Sequence, residues 1–238
     1  MGVGSRAVRH AIIIGNTDGI GLALTRRLLS DGWAVTGLSR RAAGLEHDRY
    51  VHVAADVTAA GYPAELERAC AGAGRVELCV YAAGVGDLLD LDDLAAQTRA
   101  IEVNLLGVAR TVEVVVPRML AAGGGHLVGL SSLADSLISP EAPGYAASKA
   151  GMSSFLIALG AALRPRGVAV STVRFGFVDT KMAKGAVRPM MITVDRAVDV
   201  LIRCLRTRPA VVSYPRRMTL LTAALRPVSR IQARLRKR

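Results

Sequence analysis

The chain has 238 residues with 31 Lys/Arg against 19 Asp/Glu, a net charge of +12. That length fits one α/β domain able to bury roughly 70–75% of its unfolded surface. Apolar residues make up 51% but aromatics only 4%, so the core is built from Ala, Val, Leu and Ile, as suits parallel strands covered by helices on both faces.

The charge is uneven. Residues 203–238 hold eleven Lys/Arg and no Asp/Glu, and the other 20 basic and 19 acidic residues leave +1. Basicity therefore belongs to a tail and says little about the domain. No apolar stretch approaches the ~20 residues a membrane span needs, and Ile12–Ile14 runs straight into glycines and polar residues, unlike a signal peptide. Cys70, Cys79 and Cys204 form no CxxC pair, and His10, His47, His52 and His126 are scattered. Both patterns speak against a metal site, and a reducing, cytoplasmic compartment is the simplest expectation.

In chain order, Ala11–Ile14 reads as a strand leading into Gly15-Asn16-Thr17-Asp18-Gly19-Ile20-Gly21 and a helical pattern of Leu22, Leu24, Leu28 and Leu29. Strand, glycine turn and helix form the context a dinucleotide site requires. Gly15 permits the turn, Gly19 lets backbone approach a pyrophosphate, and Gly21 lets helix and strand pack closely. The helix N-terminus offers free N–H groups and a positive dipole end. By itself a glycine triplet also marks ordinary strand-to-helix turns.

Ala34–Leu38 is the second strand. It ends in Ser39-Arg40-Arg41, where a carboxylate would accept from a ribose 2′-hydroxyl and an arginine instead suits a 2′-phosphate. Val51–Ala54 is the third strand, ending in Asp56-Val57, and a short helix through Glu65–Ala71 follows. The strand Leu78–Tyr81 leaves through Ala82-Ala83-Gly84. A helix from about Thr98 to Leu120 carries Asn104 in an apolar setting; that amide needs partners if buried, and equally suits a kink or cap.

His126–Leu130 is a strand leading to Ser132, and Pro140–Gly144 turns into a helix running from Tyr145 to about Leu163. Tyr145 and Lys149 lie four residues apart, one above the other on a helix face, where an ammonium favours the ionised phenol. Val168–Arg174 is another strand, followed by Gly176, Val178 and Thr180. Lys181–Ile192 reads as a loop whose Met190, Met191 and Ile192 are adaptable and apolar, with Lys184 and Arg188 able to meet an anion. Thr193 caps a helix through Leu205, and Ala210–Val212 is a final strand. The predicted fold is a single-domain, Rossmann-type doubly wound parallel sheet of about seven strands over residues 1–214, with helices on both faces and a basic helical tail over 215–238.

Taken together, these motifs resemble the short-chain dehydrogenase/reductase family over about residues 8–214. The family's Thr-Gly-x-x-x-Gly-x-Gly appears from Ile14 to Gly21, its Asp-Val as Asp56-Val57, and its Asn-Asn-Ala-Gly as Tyr81-Ala82-Ala83-Gly84. Its Pro-Gly-x-Val-x-Thr looks like Phe175-Gly176-Phe177-Val178-Asp179-Thr180. The resemblance implies catalytic Asn104, Ser132, Tyr145 and Lys149, and hydride transfer between a nicotinamide and a carbonyl/alcohol pair. Ser132 would hold the carbonyl oxygen, Tyr145 would give the proton, and Lys149 would lower the phenol's pKa and bind the nicotinamide ribose. Asn104 would hold a water that relays protons. The competing class is a cofactor-binding regulatory or scaffold protein with little turnover.

NADP(H) is expected in preference to NAD(H), with Arg40 as main selector and Asp18 arguing the other way. Apolar residues beyond one helix face (Val112, Val114, Val115, Val116; Phe155, Leu156, Ile157, Leu159) predict a homodimer or homotetramer, and the resemblance implies pairing through the same two helices. In the tail, Val228, Ile231 and Leu235 form one helical stripe and Arg226, Arg230 and Arg234 another, which suits peripheral contact with an anionic membrane. Packing of Met218–Leu225 on the domain is the alternative. Nucleic acid is disfavoured, because no aromatics interleave with the arginines.

Overall fold

The structure, a computed structural model, describes residues 8–183 and 188–235, with the side chains of 226–228 and 230–235 left out. Seven strands alternate with helices: β1 (His10–Ile14), α1 (Gly19–Ser30), β2 (Ala34–Ser39), β3 (Tyr50–Ala54), α2 (Tyr62–Ala73), β4 (Leu78–Tyr81), α3 (Ala95–Ile101) and α4 (Gly107–Ala121). Then come β5 (Gly125–Ser132), α5 (Pro143–Leu163), β6 (Val168–Phe175), α6 (Val194–Thr207), β7 (Val211–Tyr214) and α7 (Arg216–Leu235). The sheet order is β3-β2-β1-β4-β5-β6-β7, and every pairing is parallel. The order reverses between β1 and β4, and ligands bind at such a reversal beyond the carboxyl ends of the strands.

Alternation along each strand feeds two cores. In β1, Ile12 and Ile14 face Leu66, Val115, Met119 and Leu156 of α2, α4 and α5, whereas Ala11 and Ile13 face Leu24 and Leu28 of α1 and Leu201 of α6. Each such buried side chain contributes about 1.5–3 kcal/mol. Because both faces are covered, β4 and β5 are apolar without alternation, as Leu78–Tyr81 shows.

Three expectations change. The helix expected from Thr98 to Leu120 is broken by a π turn, Glu102–Leu106. Fully buried Tyr81 causes it: its hydroxyl donates to the Val103 carbonyl at 2.5 Å, and it fits under Gly107, where a Cβ would collide with that hydroxyl. Second, α5 with its extension to Arg166 is apolar and long enough to cross a membrane. Its composition answers to the sheet instead, since Met152 and Leu156 are fully buried in the core.

Third, the tail is one helix that continues through Pro227. Its first turns bury Met218 and Thr222 beside the end of β6, whereas Leu220 is 73% exposed. The stripe Val228, Ile231 and Leu235 and the arginines 226, 230 and 234 have side chains outside the described residues.

Candidate active site

The glycine turn forms as the spacing predicts. The Gly15 N–H donates to the Leu38 carbonyl at 2.7 Å, φ is +84°, and a Cβ there would strike the Ala83 backbone, so the turn and the Ala82-Ala83-Gly84 exit of β4 lie against each other. Gly21 packs on the Gly15 carbonyl. Asp18 caps α1, accepting from the Gly19 N–H at 2.7 Å, and its other oxygen meets Lys181 Nζ at 2.9 Å. Lys181, then the Gly19 N–H and the charge of Arg41, hold its carboxyl below the usual range. The carboxylate that argued against a phosphate is thus neutralised within the protein. Thr17 and Ile20 are half-buried, and Thr180 lies against Gly19.

Asn16 does not face outward. It is fully buried over Gly37, donates to the Tyr50 hydroxyl at 2.5 Å and accepts from Ser39 Oγ at 3.1 Å. The Arg41 carbonyl is a second acceptor 3.0 Å from Ser39 Oγ, so the single hydroxyl proton is engaged within the protein and not held for a 2′-phosphate. The guanidinium groups remain at the surface. Arg40 and Arg41 are exposed, Arg40 close enough to Asp56 to stabilise its carboxylate, after the bonds from Thr58 N–H and Oγ1. Val57 is buried in the core beneath.

At the other end, four expected residues come together from three elements, the π turn, β5 and α5. Ser132, the last residue of β5, accepts from the Ala134 N–H at 3.2 Å and so caps a 3-10 turn, Leu133–Ser136. With that lone pair used, its hydroxyl meets the Tyr145 phenol. Tyr145 stands in the first turns of α5, its ring against the Gly86 backbone. Burial raises the phenol's pKa, against the pull of the Ser132 bond, and the charge of Asp135 raises it further.

Lys149 is buried, its Nζ donates to the Leu130 carbonyl at 2.8 Å, and it stands 5.9 Å from the Tyr145 ring centroid. Burial lowers its pKa to about 8. Burial is thus the leading influence on both groups, and the Lys149 ammonium donates to the Leu130 carbonyl beside the phenol. Asn104 is locked on the π turn. Its amide donates to Val85 O (2.8 Å) and Ser148 Oγ (2.9 Å) and accepts from the Val85 N–H (2.9 Å). Both donors are spent, so a relay water has one Oδ1 lone pair to use, and the residue chiefly fixes the β4 exit beside Gly84.

The substrate-side loop is closed at its base by a bridge between Val178 and Ile192, with Asp179 N–H and Ile192 N–H donating across it. Gly176 lies against Leu133, Pro215 and Met218, so α7 backs the site. Met182 reaches Gly84, and Arg188 donates to the Ala183 carbonyl; Lys184 lies outside the described residues. What the sequence reading missed is a polar cluster behind Ser132, centred on Asp135 and Arg174, which pair across 39 residues.

The short chain dehydrogenase family matches residues 9–190, and the chain belongs to that family of oxidoreductases. It is 33% identical over 221 residues to an uncharacterized oxidoreductase of Myxococcus xanthus, covering 87% of each chain. It is also 33% identical over 174 residues to 2-dehydro-3-deoxy-L-rhamnonate dehydrogenase (NAD(+)) of a Sphingomonas species, 69% of this chain and 70% of that one. Among solved structures, a short chain dehydrogenase from Burkholderia cenocepacia in complex with NADP superposes with a TM-score of 0.83, at 26% identity, over 97% of this chain and 98% of that one.

Proposed function

We propose that the protein is a carbonyl reductase, using NADPH in preference to NADH, in which Tyr145 is the proton donor. The observation that carries this reading is the gathering of Ser132, Tyr145 and Lys149 at the carboxyl end of the sheet, with the phenol's pKa above its ordinary value. A phenol so placed is protonated at neutral pH and serves as an acid, the form reduction needs. The residues on the adenosine side fit a dinucleotide: the α1 N-terminus for the pyrophosphate, Asp56 for the adenine, and exposed Arg40 and Arg41 for a 2′-phosphate. When bound, the reduced nicotinamide supplies the hydride to the carbonyl carbon.

Ser132 polarises the carbonyl oxygen and Tyr145 passes its proton to it. Lys149 would stabilise the phenolate left behind and help hold the nicotinamide ribose, and Asn104 holds the β4 exit against α5. The protein groups serve oxidation of a secondary alcohol equally well once the phenol is ionised, so that direction gains at alkaline pH. Self-association through α4 and α5 fits the same reading, since Leu106, in the π turn that leads into α4, and Ile157 of α5 are 43% and 41% exposed, while Val115, Val116 and Leu156 are taken up by the core.

The test is a panel of ketones, aldehydes and secondary alcohols assayed with NADPH and NADH. Ketone or aldehyde reduction with a lower KM for NADPH is expected. Turnover confined to NADH, or no turnover with cofactor bound, as a scaffold protein would give, overturns the reading.

A further inference from the structure

Behind Ser132 lies a cluster that the hydride-transfer reading leaves unused. Asp135 sits three residues after Ser132 in the 3-10 turn that Ser132 caps, and its side chain is 4% exposed. Arg174 reaches it from β6 with a two-pronged contact, Nε to Oδ2 at 2.6 Å and Nη2 to Oδ1 at 2.5 Å. Strand register puts Arg174 there, since Ser131 pairs with Arg174 and Ser132 with Phe175. Ser136 Oγ joins both partners, and Ser213 of β7 accepts from Arg174 Nη1 at 3.4 Å.

The cluster continues into the helix that carries Tyr145 and Lys149. Ser153, one turn beyond Lys149, donates to Asp135 Oδ2 at 2.6 Å and accepts from Ser131 Oγ at 2.7 Å. Ser131 Oγ also lies 3.2 Å from the Lys149 carbonyl. A single carboxylate thus ties the Ser132 turn, β5, β6 and the Tyr145 helix into one unit. A buried ion pair is weak support for stability, because apolar residues of similar volume fill such a place at least as well. Beside a reacting phenol, the same pair has another use: it fixes geometry and sets the local field.

We propose that Asp135, clamped by Arg174 and Ser153, is a positioning residue that holds the Ser132 turn, and its own carboxylate with it, against Tyr145. The groups facing that phenol are Ser132 from β5, Asp135 from the 3-10 turn, Lys149 from its own helix and the Gly86 backbone from the β4 exit. Asp135 is the one anion among them, and a nearby anion opposes ionisation of a phenol. The kinetic part of the proposal rests on Tyr145 being the acid; the field at the phenol does not.

The experiment is an ultraviolet titration of the tyrosinate band, with Tyr145→Phe subtracted to remove the other tyrosines. Asp135→Asn is expected to move the Tyr145 midpoint down by about half a pH unit or more. In ketone reduction with NADPH, the same variant should lose about tenfold in kcat while NADPH affinity stays within about twofold. A folded Asp135→Asn protein with an unmoved midpoint overturns the proposal. Should that variant not fold, Asp135→Asn/Arg174→Gln, which leaves no charge unpaired, is read in the same titration: a smaller downward shift supports the proposal and none overturns it. A Tyr145→Phe protein that still reduces ketones refutes the acid assignment alone, because the titration needs no turnover.

Discussion

The two ends of the cleft hold their charges in opposite ways. At the glycine-turn end Asp18 is 55% exposed and its partner Lys181 88%, and Arg40 and Arg41 stand in solvent. At the Tyr145 end the side chain of Asp135 is 4% exposed and Lys149 is 4% exposed. Solvated charges are screened and act singly, so they adjust affinity by small steps. Desolvated charges shift one another's pKa and must be partnered, so changing one alters the chemistry. The contrast predicts that equal-looking substitutions at the two ends will differ in kind.

The largest effect is expected at Lys149. Lys149→Met keeps the volume and removes the cation, and should lower kcat by about a hundredfold. Its effect on stability runs the other way. The folded pKa of about 8 lies below the ordinary 10.5, so the folded state binds fewer protons than the unfolded chain between those values. The resulting penalty is full below pH 8 and fades as pH rises toward 10.5, on the order of 3 kcal/mol at most. Thermal melting should therefore show the Met variant at least as stable as wild type at pH 7, with wild type gaining on it from pH 8 to 10. A Met variant that is both active and less stable would break the contrast.

A smaller effect, in affinity alone, is expected at the exposed end. Arg40→Asp should raise the NADPH dissociation constant about tenfold, leave NADH less affected and leave the melting temperature unchanged. Added salt should shrink the difference, because a solvated guanidinium is being read. Equal losses for both cofactors would assign selection to Arg41 or to the backbone.

What could be read in the sequence follows the same division. The glycine turn, Ser132, and Tyr145 with Lys149 are legible because each depends on local spacing: a turn that only Gly15 allows, a strand end, a helical repeat of four. The sheet of about seven parallel strands follows from apolar runs alternating with helical patterns, though their order does not. The π turn is not legible in that way, since it depends on Tyr81 reaching Val103 from another element. Nor is the Asp135–Arg174 clamp, whose partners are 39 residues apart and meet through the β5–β6 register. Ser39 and Asn16 are expected from the sequence to line a cofactor site, whereas in the structure their side chains bond each other. Lys149 shows the limit of reasoning from spacing: the repeat of four puts it near the phenol, while burial decides which way both pKa values move.

The central claim is that Tyr145 passes its proton to a carbonyl, and the most direct measurement compares wild type with Tyr145→Phe under saturating NADPH and a ketone that wild type reduces. The Phe ring keeps the packing against Gly86 and loses only the hydroxyl. NADPH binding within about twofold of wild type, together with a kcat lower by about a thousandfold or more, is the predicted result. Reduction by the Phe variant at near wild-type rates would contradict the account.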